Sequence, residues 1–151
     1  MKAQTLALLA CLAPAIPAHA YCIQNDLKGR DVRVVQEPHP SGLREKRTLD
    51  VLLKPGEKEC CNPKNLDCNP EGKVISTVGL EILITGEPGY QCGIAERGGG
   101  ALVKVTGGGA VTVTPNPKTS SANPYIVRVR TQDRDVTGPS GLACTEKPKA
   151  K

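Results

Sequence analysis

Two arginines in the sequence YIVRVR are the residues best placed for chemistry. Arg128 and Arg130 are two positions apart, so on a β-strand both guanidinium groups lie on one face. The planar fork of arginine binds sulfate, phosphate or carboxylate groups, and Arg134 follows closely. Asp133 and Asp135 flank Arg134, so the cluster also fits a solvated face on which carboxylates balance the arginines. The sequence favours the balanced face, and an anion-binding surface of Arg128, Arg130 and Arg134 is the functional alternative.

Six of the seven cysteines follow the N-terminal segment and point to disulfide chemistry: Cys22, Cys60, Cys61, Cys68, Cys92 and Cys144. An even number in a small exported chain indicates three disulfides. The neighbours Cys60 and Cys61 cannot bond to each other, because their Cα atoms are only about 3.8 Å apart. Twelve of the fifteen connectivities therefore remain.

If the Cys60–Cys61 pair is extended, its two side chains point to opposite faces and bond to different neighbours. Zinc binding by these cysteines is disfavoured by export and by the even cysteine count. The set of disulfides that we expect is Cys61 with Cys68, Cys60 with Cys92, and Cys22 with Cys144.

The N-terminal segment Met1–Ala20 has the three parts of a secretory signal. Lys2 supplies the positive start, Thr5–Ile16 is apolar after its first residue, and Ala18-His19-Ala20 matches a small-x-small cleavage site. We therefore expect a secreted, extracellular protein whose mature chain begins at Tyr21.

The mature chain, residues 21–151, has the length of one domain, and we expect its basic C-terminal end to be a frayed tail. It contains no apolar run near the roughly 18 residues of a membrane-spanning helix, so we expect it to be soluble. A bacterial lipobox ending at Cys11 is a rival interpretation of the N-terminus, but the apolar stretch before that cysteine is short for a signal.

Composition argues against several classes of function. The sequence has no Trp, no Phe and three Tyr, which leaves almost no aromatic platform for single-stranded nucleic acid or sugar rings. Removal of Lys2 leaves 19 basic and 15 acidic residues, a net charge of +4, without the dense basic run of a nucleic-acid arm. His39 is the one histidine of the mature chain, so a His-dependent triad or zinc site has a single candidate. We expect no nucleic-acid partner and no cofactor.

Short runs of Val, Ile and Thr separated by Gly, Pro and Asn predict an all-β chain. We expect a single disulfide-linked β-sandwich of about seven strands. Gly79 is expected to form a bulge or turn, and the glycines of Thr106–Gly109 predict a hairpin between the strands that flank them. The predicted strands are Asp31–Glu37, Arg47–Leu53, Val74–Val78, Leu80–Thr85, Ala101–Val105, Ala110–Thr114 and Tyr125–Arg130.

The segment Cys60–Gly72 resembles the start of a calcium loop, with Asn or Asp at three alternate positions. Counted from Asn65, the first of these three, the sixth position is Pro70 and the twelfth is Ser76, where such a loop needs glycine and a carboxylate, so Asx turns explain the segment better. Ser140 lacks the second glycine of a nucleophile elbow. A glycan-active hydrolase that uses two carboxylates is the alternative function, with four candidate residues: Glu57, Glu59, Glu71 and Glu81.

The cysteine framework at Cys60–Asn69 and the closing Gly138–Cys144 resemble small secreted cysteine-rich proteins of fungi. Leu53-Lys54-Pro55-Gly56 resembles the start of fungal β-sandwich families that include the aegerolysins, although the aromatic lipid-facing loops of that family are missing. The resemblance implies an extracellular interaction protein, effector-like, that acts on a host or on a cell wall and has no catalytic residues to carry over.

The leading hypothesis is a monomeric secreted protein that binds an extracellular protein, a glycan or an anionic surface. Its variable surface is expected in three loops: Glu37–Arg47, Cys60–Lys73 and Pro115–Pro124.

Overall fold

The computed structural model describes residues 20–37, 48–96, 100–118, 122–131 and 134–147. This part of the chain folds into eleven β-strands and contains no helix, so no helix within it is long and apolar enough to span a membrane. The strands are β1 (Tyr21–Asn25), β2 (Val32–Gln36), β3 (Asp50–Leu53), β4 (Lys58–Cys61), β5 (Thr77–Ile84), β6 (Tyr90–Cys92), β7 (Ile94–Ala95), β8 (Ala101–Thr106), β9 (Gly109–Pro115), β10 (Tyr125–Arg130) and β11 (Leu142–Glu146).

The strands form one sheet in the order β3-β2-β5-β6-β11-β10-β9-β1-β4. Strand β5 has two neighbours on one edge, because β6 pairs with its second half and β8 with its first. The sheet is nearly closed and barrel-like, and all pairs are antiparallel except β1 with β9. The all-β prediction is confirmed, but the chain forms this single curved sheet of eleven strands where we expected a sandwich of about seven.

Alternating apolar side chains place the core inside the curved sheet. In β5, every second residue from Val78 to Ile84 is buried, which is the pattern of a strand with one face toward a core. Tyr21 is the largest fully buried side chain, and its hydroxyl donates a hydrogen bond to the carbonyl of Cys68 at 3.1 Å. Burial raises the pKa of Tyr21 well above its usual range, so this side chain is neutral and acts as a packing residue.

Three disulfides connect the cysteines: Cys22 with Cys60, Cys61 with Cys68, and Cys92 with Cys144. The predicted Cys61–Cys68 bond is confirmed, as is the prediction that the Cys60–Cys61 pair bonds to different neighbours. The predicted bonds of Cys60 to Cys92 and of Cys22 to Cys144 are wrong. The physical reason is strand pairing, because Cys22 lies directly opposite Cys60 in β1 and β4, and Cys92 directly opposite Cys144 in β6 and β11.

The glycine-rich segment Thr106–Gly109 does not form the predicted hairpin. Strand β8 pairs with β5 and β7, whereas β9 pairs with β10 and β1, so the two strands that flank the glycines belong to different parts of the sheet. The backbone here packs tightly, since a Cβ on Gly107 would lie 1.0 Å from the carbonyl oxygen of Val74. Gly79 also differs from its predicted role, because it lies inside the continuous strand β5 and pairs with Lys104.

Strands β3 and β4 stand at the two ends of the strand order and are joined by a tight turn. The buried side chain of Asn25 ties this seam together. Its amide group donates to the carbonyls of Leu53 and Arg30 at 2.9 and 2.8 Å, and its carbonyl accepts the N–H of Leu27 at 3.0 Å. One side chain thus satisfies three backbone groups that would otherwise be buried without partners.

The expected frayed tail is Glu146–Lys151, and the structure describes only its first two residues. Glu146 is the last residue of β11, and the N–H of Lys147 donates to the carbonyl of Gly89 at 2.9 Å. Residues 148–151 lie outside the described part of the chain.

Candidate functional site

The outer face of β10 carries the two arginines identified from the sequence. Val127 and Val129 point inward and are buried, so Arg128 and Arg130 point away from the core. Strand β10 lies between β9 and β11, and Arg128 stands opposite Thr112 of β9. The alternation of apolar and charged residues in YIVRVR is the reason that both guanidinium groups reach the same surface.

These arginines line a surface cavity of about 560 Å³, which we call the arginine groove. Its lining comes from β9 and the segment after it, from β10 and the segment after it, and from the residue that follows β1. Its lining residues are Asp26, Thr112, Thr114, Pro115, Pro117, Arg128, Arg130 and Asp135.

The backbone of Asp135 pairs with that of Arg130, but neither carboxylate of the groove is bonded to an arginine in the described part of the chain. Asp135 accepts hydrogen bonds from the backbone N–H and the hydroxyl of Thr137, at 3.0 and 2.9 Å. The other carboxylate, Asp26, accepts the side-chain amide of Gln24 at 2.6 Å. The sequence favoured a solvated face on which carboxylates balance the arginines. The carboxylate of Asp135 does not pair with an arginine in this way, and Asp133 lies outside the described residues.

The two guanidinium groups differ in their surroundings. Arg130 is exposed, and no other described residue forms an ion pair or hydrogen bond with its side chain. Arg128 is half-buried and donates one N–H to the carbonyl of Pro139 at 3.2 Å. Its Nε is buried and has no hydrogen-bond partner among the described residues. Buried donors normally have partners, so Arg128 has an unused capacity to donate.

Arg134, the third predicted ligand-binding residue, is exposed and does not line the groove. Its carbonyl accepts the N–H and the hydroxyl of Thr131, which closes the turn after β10. The structure therefore brings Arg128 and Arg130 together and leaves Arg134 outside.

A second, smaller cavity of about 210 Å³ adjoins the groove at Pro117, and we call it the apolar slot. Ile126 lies at its base and is 2 % exposed, because the turn at Pro139–Gly141 covers this part of the outer face. Asn116 stands at its edge and donates to the carbonyl of Asn123 at 2.8 Å. The remaining lining residues are Lys118, Ser140 and Ala143.

Part of the predicted binding loops lines the groove and the slot. Pro115, Pro117 and Asn123 belong to the predicted Pro115–Pro124 loop. Of the predicted Glu37–Arg47 loop only the first residue is described. Thr112 and Thr114 were not predicted as site residues, although their alternate positions in a predicted strand indicate that they share one face.

The loop Cys60–Lys73 does not line either cavity, and its polar residues hold its own backbone. The side-chain oxygen of Asn65 accepts the N–H of Asp67, and that of Asn62 accepts the N–H of Lys64, as the Asx-turn interpretation predicts. Within the described residues no group of three or more His, Cys, Asp or Glu is placed to hold a metal ion. This segment therefore has a conformational role in the structure.

None of the four glutamates proposed for a hydrolase lines the groove or the slot. Glu57 accepts the backbone N–H of Lys54 at 2.7 Å, and Glu81 accepts the side-chain amide of Gln91 at 3.1 Å. Glu71 accepts the hydroxyl of Ser76 at 3.2 Å, and Glu59 is exposed on β4.

Comparison with protein-family models, with curated proteins and with solved structures finds no match to this chain. What the groove can do follows from its own residues. Two guanidinium groups and two threonines supply hydrogen-bond donors to this surface beside a small apolar cavity, and the two carboxylates of the groove balance the formal charge of the arginines. Such a surface can hold an anionic group by charge-assisted hydrogen bonds.

Proposed function

We propose that this chain is a secreted, extracellular binding protein that holds an anionic ligand in the arginine groove. The observation that carries the proposal is the pair Arg128 and Arg130, which line one cavity without bonding to either of its carboxylates. Three disulfides are compatible with an oxidising, extracellular compartment. The resemblance to small secreted cysteine-rich fungal proteins supports an effector-like role toward a host or a cell wall.

Binding in this groove would rest on short-range hydrogen bonds. Residues two apart on a strand are about 6.6–6.8 Å from each other, so the two guanidinium groups can hold two anionic groups or the two ends of one. Asp26 and Asp135 also line the groove, and they lower its net charge. Exposed charge pairs contribute about 1 kcal/mol or less each, so we expect moderate affinity that falls with added salt.

The test begins with the full chain expressed in a secreting host and purified from the medium. It is screened against acidic peptides, acidic polysaccharides, inorganic phosphate and vesicles of anionic lipid. For the anionic ligand with the highest affinity, the double variant Arg128→Ala/Arg130→Ala should weaken binding about tenfold.

The matched control removes two exposed cations elsewhere, Arg33→Ala/Lys104→Ala, and changes the net charge by the same amount. Each of these residues already has a carboxylate partner, Asp50 and Glu96, at 2.7 and 2.9 Å. The control should keep its affinity within about twofold. Equal losses in the two double variants would mean that overall charge and not the groove attracts the ligand. No anion binding by the unmodified protein would overturn the proposal.

A further inference from the structure

We propose that the ligand of the arginine groove is an extended peptide segment with one apolar residue followed, at alternate positions, by two acidic residues. This inference rests on the proposed function and specifies its ligand. It is carried by the way in which the apolar slot and the two arginines follow one another along β10.

Ile126, Arg128 and Arg130 occupy alternate positions of β10 and therefore share its outer face. The slot lies over the first of them and the groove over the other two. Successive sites on this face are thus about 6.6–6.8 Å apart. An extended peptide presents its own alternate side chains at the same interval, so three of them can occupy the slot and both arginines at once, in either chain direction.

The size of the slot fits one side chain. Its volume of about 210 Å³ is below that of cavities that enclose a whole small-molecule ligand, which start at about 300 Å³. Pro117, Pro139 and Ala143 provide apolar walls around Ile126. An aliphatic side chain of a peptide can fill this volume, and the hydroxyl of Ser140 at its edge can bind the peptide backbone.

The charges around the groove disfavour a uniformly charged polymer. Asp26 and Asp135 line the cavity together with the arginines, so a polyanion with a charge on every unit would bring some of its charges against carboxylates. A peptide with neutral residues between its acidic ones can place them at the arginines alone. Neither cavity has an aromatic lining residue on which a sugar ring could stack.

Arg128 connects the two cavities, because it lines the groove and donates to the carbonyl of Pro139 at the slot. Its buried Nε has no partner in the described residues. A carboxylate that binds along the Nε edge of the guanidinium group would supply this partner after a small side-chain shift. The acidic residue two positions from the apolar one is thus the one whose position the structure favours most.

The test uses three labelled peptides and the full chain, with affinities measured by fluorescence anisotropy. The peptide GLTETEG and its reverse GETETLG carry the alternating pattern in both directions, whereas GLTTEEG has the composition of the first in a broken register. At least one alternating peptide should bind about tenfold more tightly than the broken one. Replacing its leucine by glycine, and separately introducing Arg130→Ala in the protein, should each weaken binding several-fold.

Equal affinity for the alternating and broken peptides would overturn the inference, because it would remove the register on which it depends. Binding of inorganic phosphate, acidic polysaccharide or anionic vesicles alone, lost in Arg128→Ala/Arg130→Ala, would also overturn it and would leave the proposed function intact. Failure of every anion to bind would overturn both. The comparison of alternating and broken peptides changes only the peptide, so a folding defect of the protein cannot explain its result.

Discussion

Surface arginines have different neighbours in the two halves of the sheet. On β2, Arg33 forms a bidentate ion pair with Asp50 of β3, with N–O distances of 2.9 and 2.7 Å. On β10, the neighbours of Arg128 and Arg130 on β9 are Thr112 and Ala110, which carry no charge. A carboxylate on the next strand therefore satisfies one arginine, whereas the other two keep donors available for a ligand.

The two halves also differ in their covalent links. Strands β6, β11, β10, β9, β1 and β4 follow one another in the sheet, and disulfides join the first two of them and the last two. We call this the disulfide-linked half, and β9 and β10 lie at its centre. The disulfide-free half, β2, β3, β5, β7 and β8, contains no cysteine. The candidate binding face thus lies between two cross-linked strand pairs, which limits the ordering cost of binding.

The largest expected effect comes from removing the bond between β6 and β11. Cys92→Ala/Cys144→Ala should lower the free energy of unfolding by about 2–4 kcal/mol, because both residues are fully buried and close a long loop. Urea denaturation measures the loss. Hydrogen exchange followed by mass spectrometry compares the variant with the unmodified protein. The exchange rate should rise more in β10 and β11 than in β2 and β3. An equal rise in both halves would contradict the division that we describe.

The Cys92–Cys144 experiment has a simple control in solution. A chelator such as EDTA should leave the melting temperature unchanged, since we expect no bound metal, whereas a reductant should lower it.

At its edge, the disulfide-free half is held by hydrogen bonds from the side-chain amide of Asn25 and not by a disulfide. Asn25→Ala should cost about 2–3 kcal/mol, because the carbonyls of Leu53 and Arg30 lose their buried donor. The loss is measured by urea denaturation, and exchange should accelerate first in β3. Gln24→Ala, at the half-buried neighbouring position, serves as the control and should cost about 0.5 kcal/mol or less. A small loss in Asn25→Ala would mean that the seam is held by other contacts.

A carboxylate placed beside Arg128 should make β10 resemble β2. Thr112→Asp puts an acidic residue directly opposite Arg128, which should occupy its donors and repel an anionic ligand. We expect the affinity for the anionic ligand to fall about fivefold, as the loss of one exposed charge contact implies. Thr112→Asn is the matched variant without charge, and it should bind nearly as well as the unmodified protein. Unchanged affinity in Thr112→Asp would exclude Arg128 from the binding site.

The smallest effect is the pH dependence of the Arg33–Asp50 pair. The hydrogen bonds from Arg33 lower the pKa of Asp50 below its ordinary value. Its stabilising contribution is therefore complete above the unfolded-state pKa of about 4, and it is lost as the pH falls through the lower folded-state value. Thermal melting of the protein and of Asp50→Asn should differ slightly at neutral pH and converge near pH 2. A difference in melting temperature that increases toward acidic pH would contradict this prediction.

The strands that the sequence predicts and those that it misses differ in composition. Runs with alternating Val, Ile or Thr, such as those in β2 and β10, were predicted with nearly correct bounds. Strands β1, β4, β6 and β11 were missed because their sequences YCIQN, KECC, YQC and LACTE mix cysteine with polar residues. Two predicted disulfides failed for the same reason, since their true partners lie on strands that no local pattern indicates.

The site was predictable only where it depends on one strand. Arg128 and Arg130 share a face because of their spacing in the sequence. Asp26 reaches the groove through the parallel pairing of β1 with β9, and the position of Asp135 depends on the turn after β10. Such long-range pairings are set by the whole fold, and no local signal in the sequence specifies them.

The parallel pairing of β1 with β9 also decides when this protein can finish folding. A chain that is made from its N-terminus presents β1 before the other strands, and β1 can pair with β4 as soon as Lys58–Cys61 has emerged. Its other edge stays open until Gly109–Pro115 arrives, and an open edge is prone to pairing with other chains. Strands β10 and β11 come later still, so the surface that carries Arg128 and Arg130 exists only after both of these strands have been made.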